Sequence, residues 1–300
     1  MGTDDFKRRR DTSRWGFSRH YESLELFLAN PVGEGLHTVL FGDRNIDFLI
    51  RNRGSDTTVL VFHGALSPRQ RTVPYLVGEG IARASGLNLV SLADPTLEVG
   101  ELACAWFLGD REIGNLKACF KPIIDHILAS LGSSNLILFG GSGGGYAAIN
   151  FGDMFPDSVV LAMNPRLNLD GYPRSTAAQY LKIAHRAETI TPMRRIKREF
   201  FTPNLAINRL GTANCDILLY QNRNDERYLN HQVIPFVETL KEDPRLYVKL
   251  FEGKPGHSPA PTEDLAALLT QIASELRRTQ RNFESMGFAK AKDFTKTQVD

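Results

Sequence analysis

The stretch from Leu136 to Ala148 constrains the fold of this chain more than any other, because it runs a short apolar strand straight into a serine set among glycines. A strand that turns abruptly into a helix forces the residue at its apex into strained backbone angles. Only glycine-sized neighbours two positions before and after let such a turn close. Ser142 is that apex residue, with Gly140 and Gly144 at the required spacing. The turn lifts the hydroxyl out of the sheet edge and aims the first amides of the next helix at whatever the serine attacks. Gly143, Gly145 and Ala148 also fit a Gly-x-Gly-x-x-Ala nucleotide fingerprint, and so dense a glycine run is also compatible with an inert flexible turn. The fingerprint belongs to a first strand-helix unit with an acidic residue about 20 positions on. Here the run lies in mid-chain, Asp157 is too near, and Asp170 follows a strand by several residues.

Three hundred residues with 42% hydrophobic content suffice for one large α/β domain with a sizeable core. A net charge of +2 is too mild to call for a nucleic-acid partner, which concentrates Lys and Arg on one face at high pI. Cys104, Cys119 and Cys215 are odd in number, widely spaced and set in apolar sequence, so they read as buried free thiols in a reducing compartment rather than a disulfide or metal set. Residues 1–20 carry Lys7, Arg8, Arg9, Arg10, Arg14 and Arg19 with no apolar run behind them, which reads as a flexible polar leader and not a secretory signal. No later stretch reaches the roughly 18 uninterrupted apolar residues of a membrane span. The expectation is a cytoplasmic protein without metal or cofactor, its homo-oligomeric state left open.

Aliphatic and β-branched runs at 24–28, 46–50, 58–62, 87–92, 136–139, 159–163, 217–220 and 246–251 predict about eight strands. Helical patterns at 116–131, 144–154, 230–241 and 262–278 intervene from the third strand onward, the signature of right-handed crossovers and a mostly parallel sheet. Only a polar turn region, 30–43, separates the first two runs, which predicts an antiparallel start. The interval of about fifty residues between the sixth and seventh strands is too long for a plain crossover and predicts a helical cap insertion at about 165–214. Arg166, Arg174, Lys182, Arg186, Arg194, Arg195, Lys197, Arg198 and Arg209 outnumber Asp170, Glu188 and Glu199 there. They read either as a solvated face or as a binding surface for an anionic substrate. The main α/β domain spans 21–280, and 281–300 reads as a polar tail, frayed or bound to a partner.

A serine hydroxyl attacks at neutral pH only with a base in hydrogen-bond reach and a group that holds the base in the right tautomer. His257 lies in a Gly/Pro loop directly after the last strand, where it can present an imidazole at the carboxyl edge of the sheet. Asp225 follows the penultimate strand and is the orienting carboxylate, with Glu226 as its rival. An oxyanion hole needs two amides. Gly143 supplies one, and Ala65, after the strand and His63-Gly64, supplies the other. His63 and Tyr146 are candidates to line the substrate pocket, His63 more as a structural hydrogen-bonding residue than as a second base.

Taken in order, His63-Gly64, the Ser142 turn, Asp225 and His257 resemble the α/β-hydrolase superfamily over about 23–280. The resemblance implies a Ser-His-Asp machinery on an α/β-hydrolase fold with helices on both faces. The implied activity is that of an esterase, lipase, thioesterase, peptidase or acyltransferase. A fainter resemblance, carried by the glycine-rich elbow followed by Tyr146, by 91–95 and 105–109, and by Asn164-Pro165-Arg166, is to bacterial members linked with surface-polysaccharide modification. The absence of a His-Gly-Gly-Gly run departs from the lipase type of oxyanion loop. The reading is therefore a serine hydrolase or acyltransferase acting on an ester or thioester, with a small-molecule or glycan substrate. A nucleotide-binding enzyme using the glycine loop and a non-catalytic binding module on the same fold are its rivals.

Overall fold

The structure is a computed structural model that describes residues 8–170, 174–199 and 215–294. Successive residues of a strand face opposite sides of a sheet, and this chain fills both sides with apolar groups. Leu60, Phe62, Leu138, Val160, Ala162, Ile217 and Leu219 point into one hydrophobic layer. Their neighbours Val59, Val61, Ile137, Phe139, Leu161 and Leu218 point into the other. A sheet buried on both faces needs helices on both, which is the parallel α/β arrangement.

Ten strands make the sheet: β1 Ser18–Tyr21, β2 Gly35–Phe41, β3 Arg44–Arg51, β4 Thr57–Phe62, β5 Asn88–Leu92, β6 Asn135–Gly141, β7 Val159–Met163, β8 Asp216–Asn222, β9 Leu246–Phe251 and β10 Ala289–Lys290. Their spatial order is β10-β9-β8-β7-β6-β4-β5-β3-β2-β1. The block from β5 through β4, β6, β7 and β8 to β9 is parallel throughout, so all its carboxyl ends share one edge. Helices α3 (Leu116–Leu131) and α4 (Gly143–Gly152) fill the first layer; α2 (Glu79–Ser85) and α9 (Thr262–Leu276) fill the second.

Two sequence expectations at the amino end are corrected. The run Leu24–Leu28 is a helix, α1, and not a strand, because the Ser23 side chain accepts a hydrogen bond from the Leu26 amide at 3.2 Å and caps a first turn. The strand that pairs antiparallel with β3 is β2, inside the region read as a polar turn. Its polar residues are buried and partnered: Thr38 Oγ1 donates to Asp47 Oδ1 across the pair at 2.6 Å, and the His37 ring stacks on Phe48.

The described part of the leader is also tied down. Arg8 is buried and donates to the carbonyls of Leu97 and Gly100, and Arg10 makes a two-point pair with buried Asp47 at 2.5 and 2.7 Å. A guanidinium fork matches a carboxylate or a set of carbonyls, so basic residues can be structural where charge alone reads as solvated. At the other end Phe283 and Phe288 are buried, and β10 pairs antiparallel with β9. Residues 1–7 and 295–300 lie outside the described residues.

The interval between β7 and β8 contains α5 (Arg174–His185) and α6 (Ile190–Glu199). Residues 171–173 and 200–214 of the interval, with Arg209, lie outside the described residues. All three cysteines are buried and none is in a disulfide. Among the described residues no helix is long and apolar enough to cross a membrane.

Candidate active site

The loops after β4, β6, β7, β8 and β9 lie at the shared carboxyl edge, and they carry Gly64, Ser142, Asn164, Asp225 and His257. Ser142 leaves β6 with φ 55° and ψ −117°, a conformation that costs a non-glycine residue of order 1–3 kcal/mol and persists only where its surroundings impose it. Those surroundings are visible. The Ser142 amide donates to Met163 O at 2.9 Å, while its carbonyl accepts from the amides of Arg166 and Gly145 at 3.0 and 3.1 Å. A Cβ on Gly140 would lie 2.1 Å from the Gly144 carbonyl oxygen, and one on Gly144 would lie 2.2 Å from that of Phe62. The two glycines of the motif are thus required by backbone-to-backbone contact. The glycine run is packed rather than open: Gly143, Gly144 and Gly145 are all buried, and Gly145 lies against Pro165, which leaves no cradle for a phosphate.

Asp225 caps the short helix α7 (Glu226–Tyr228), its Oδ1 accepting from the Tyr228 amide at 3.3 Å. Its other oxygen, Oδ2, accepts from His257 Nδ1 at 2.5 Å, with the carboxylate 4% and the imidazole 35% exposed. A buried acceptor on Nδ1 leaves Nε2 as the basic nitrogen. Glu226, the rival acid, is exposed on α7 and has no bond to His257.

Two asparagines hold the acid and base loops in register. Asn222, fully buried at the end of β8, donates from Nδ2 to Lys254 O and Gly256 O at 2.8 and 3.0 Å. Its Oδ1 accepts from the amides of Asn224 and Gly253, both at 3.1 Å. Asn164, after β7, accepts from Asn222 N at 2.7 Å and donates to Ser258 O at 2.8 Å. Asn222→Ala strands four backbone groups, at about 1–3 kcal/mol for each that stays dry. We expect a loss of about 2 kcal/mol or more in denaturant unfolding, with a larger proportional loss of activity than of folded protein. A variant as stable as the parent would remove Asn222 from this role.

On the other side of Ser142 the loop after β4 comes close: a Cβ on Gly64 would lie 3.6 Å from Ser142 Cβ. Ala65 is exposed, and the next amide, Leu66, is held by Ala103 O at 2.7 Å. His63 is buried and held by hydrogen bonds. It is 2% exposed, its Nδ1 bonds Gly64 O at 2.8 Å, its Nε2 accepts from Asp94 N at 3.2 Å, and burial holds its pKa down at about 4. Tyr146 is likewise fully buried in the core, because α4 is buried on every side.

Beside the elbow stands a wall that sequence reasoning noticed only as part of a resemblance. Trp106 and Phe107 are consecutive residues at φ 53° and 56°. Buried Asp94 holds them there, accepting from Phe107 N at 2.7 Å and Thr96 N at 3.0 Å. A Cβ on Gly143 would meet Trp106 Nε1 at 3.2 Å and Cys104 Sγ at 2.7 Å. Arg166, counted with the basic cap, is instead buried under this wall. Its guanidinium carbon lies 5.2 Å from the centre of the Trp106 ring, and its Nη atoms donate to Thr176 Oγ1 and Leu169 O. Burial lowers its pKa, but a guanidinium keeps its charge.

The tyrosine of α7 is the other residue that sequence reasoning missed. Its ring stacks on His257 with centroids 3.9 Å apart, and its phenol, raised in pKa by burial, is drawn back by hydrogen bonding with Ser142 and by the charge of Arg166. Among the described residues no hydrogen bond joins Ser142 to the imidazole.

This architecture has known counterparts. The capsule O-acetyltransferase of Neisseria meningitidis serogroup A superposes with a TM-score of 0.60 at 17% identity, covering 82% of this chain and 96% of that one. The S-formylglutathione hydrolase of Agrobacterium tumefaciens gives 0.58 at 15% identity, covering 81% and 95%. The chain has the α/β-hydrolase fold. An esterase of Pyrococcus furiosus shares it over 91% of this chain and 96% of its own, at 17% identity and a TM-score of 0.50. No protein-family model and no curated protein matches by sequence. Within the α/β-hydrolase fold, the ten-stranded sheet is larger than the eight strands read from sequence, the additions being at its two edges.

Proposed function

We propose that this α/β-hydrolase-fold protein is a serine esterase or O-acyltransferase that works through an acyl-enzyme on Ser142. The observation that carries the reading is the 2.5 Å bond from His257 Nδ1 to buried Asp225, at the sheet edge where Ser142 sits in its strained turn. His257 Nε2 takes the Ser142 proton as Oγ bonds the carbonyl carbon of an ester or thioester. The amides of Ala65 and Gly143 hold the oxyanion, and Asp225 stabilises the imidazolium. Collapse breaks the bond to the alkoxide or thiolate, which leaves with the proton from His257. An acceptor oxygen, from water or from an alcohol, then repeats the steps in reverse order and restores Ser142.

One neighbour supports acyl transfer within this reading. It is a capsule O-acetyltransferase, and a variant of that enzyme has been solved with CoA, at a TM-score of 0.55 and 16% identity. A thioester donor and a glycan hydroxyl acceptor are therefore the substrates we favour. Exposed Arg194 and Arg195 on α6 would suit an anionic glycan, whereas Lys197 is already paired with Asp170. A fluorophosphonate probe tests the nucleophile, with an adduct expected on Ser142. A nucleotide-binding enzyme or a ligand-binding module would give none.

A further inference from the structure

Tyr228 brings a ring to the base and a hydroxyl to the nucleophile, and no step above uses it. Its position is fixed from two sides: Asp225 Oδ1 holds its amide at 3.3 Å, and its ring lies on the His257 imidazole with an interplanar angle of 31°. It is half-buried and belongs to a pocket of about 400 Å³ beside His257, lined also by Asn224, Glu226, Arg227 and Gly256. Asp225 and His257, the acid and the base of the acyl-enzyme reading, both line that pocket. In acyl transfer the side of the base is the one from which the leaving group departs and the acceptor arrives, because His257 must exchange a proton with both.

Resting on the acyl-enzyme reading, we propose that Tyr228 is a further catalytic residue, whose phenol hydrogen-bonds the incoming acceptor hydroxyl at Ser142 and favours an alcohol over water. In the free enzyme the Ser142 hydroxyl draws the phenol's pKa back toward its ordinary value. Acylation removes the serine proton and leaves a weakly accepting ester oxygen, so the phenol is available to the next hydroxyl that enters. An alcohol seated in the adjacent pocket presents its hydroxyl there, passes its proton to His257 Nε2 and bonds the acyl carbon, and Ser142 leaves with that proton. A lone water gains no support from the pocket, and the ring covers one face of the imidazole against it.

The test is the partition of one acyl-enzyme. The full chain is acetylated with p-nitrophenyl acetate in the presence of glycerol, and glyceryl acetate and free acetate are measured together; their ratio does not depend on the acylation rate. Tyr228→Phe keeps the ring on His257 and removes only the hydroxyl. The ratio is expected to fall about three- to tenfold, the worth of one net hydrogen bond. Tyr228→Ala, which also uncovers the imidazole, is expected to lower it further. An acetylated Ser142 with the same ratio in Tyr228→Phe and wild type overturns this role alone, as does a wild type that is acetylated yet yields only acetate. A wild type that never carries acetyl on Ser142 overturns the acyl-enzyme reading beneath it.

Discussion

Replacing His257 with alanine is expected to lower kcat/KM for an activated ester by on the order of 10³-fold or more. The size of the effect follows from what the imidazole alone supplies. The other candidates among the described residues do not serve: Tyr228 stays protonated at neutral pH, its phenol raised by burial, and His63 is consumed by Gly64 O and Asp94 N. The residual rate would come from the oxyanion amides and from binding. Because the His257 side chain is 35% exposed on a loop and its one hydrogen bond among the described residues is to Asp225, the variant should fold with nearly unchanged stability. Near-normal activity in His257→Ala would move the base elsewhere and break the assignment of Asp225 with it.

The second large effect is on folding. Gly144→Ala is expected to cost about 3 kcal/mol or more, above the usual range for overpacking, because the added Cβ would stand 2.2 Å from Phe62 O and 2.9 Å from His63 O. Both are backbone atoms at the end of β4, in the middle of the sheet, and neither can turn aside as a side chain would. A domain stable by roughly 5–15 kcal/mol survives such a loss only narrowly, so low soluble yield or a sharply reduced denaturation midpoint is the expected result. Gly80→Ala is the matching control. It sits within α2 with open space at its Cβ, and there alanine should stabilise by roughly 0.5–1 kcal/mol. Equal midpoints for wild type and Gly144→Ala would mean that the elbow is not closed by the contact described.

The elbow was legible because its requirement is local: a strained residue with glycines two positions to either side is written in five consecutive letters. Asp225 and His257 were legible because parallel strands bring every loop that follows them to one edge, so position after a strand is position near the site. What stayed hidden depends on partners distant in sequence. Leu24–Leu28 carries alternating apolar residues that suit a strand as well as a helix, and the Ser23 cap decides. Strand β2 was obscured by His37 and Thr38, which are buried only because Phe48, Asp47 and Arg10 come to meet them. Arg8 and Arg166 read as surface charge until the carbonyls that bind them are in place. Tyr228 gave no periodic signal at all: three residues after Asp225 on a one-turn helix, it reaches His257 and Ser142 only through the fold.

The most direct measurement for the central claim is the site of a covalent adduct. The protein is incubated with a fluorophosphonate, digested, and the modified peptide located by mass spectrometry. We expect the adduct on Ser142, absent in Ser142→Ala and slowed by orders of magnitude in His257→Ala. A folded protein that leaves Ser142 unmodified, under conditions that label a control serine hydrolase, would contradict the account.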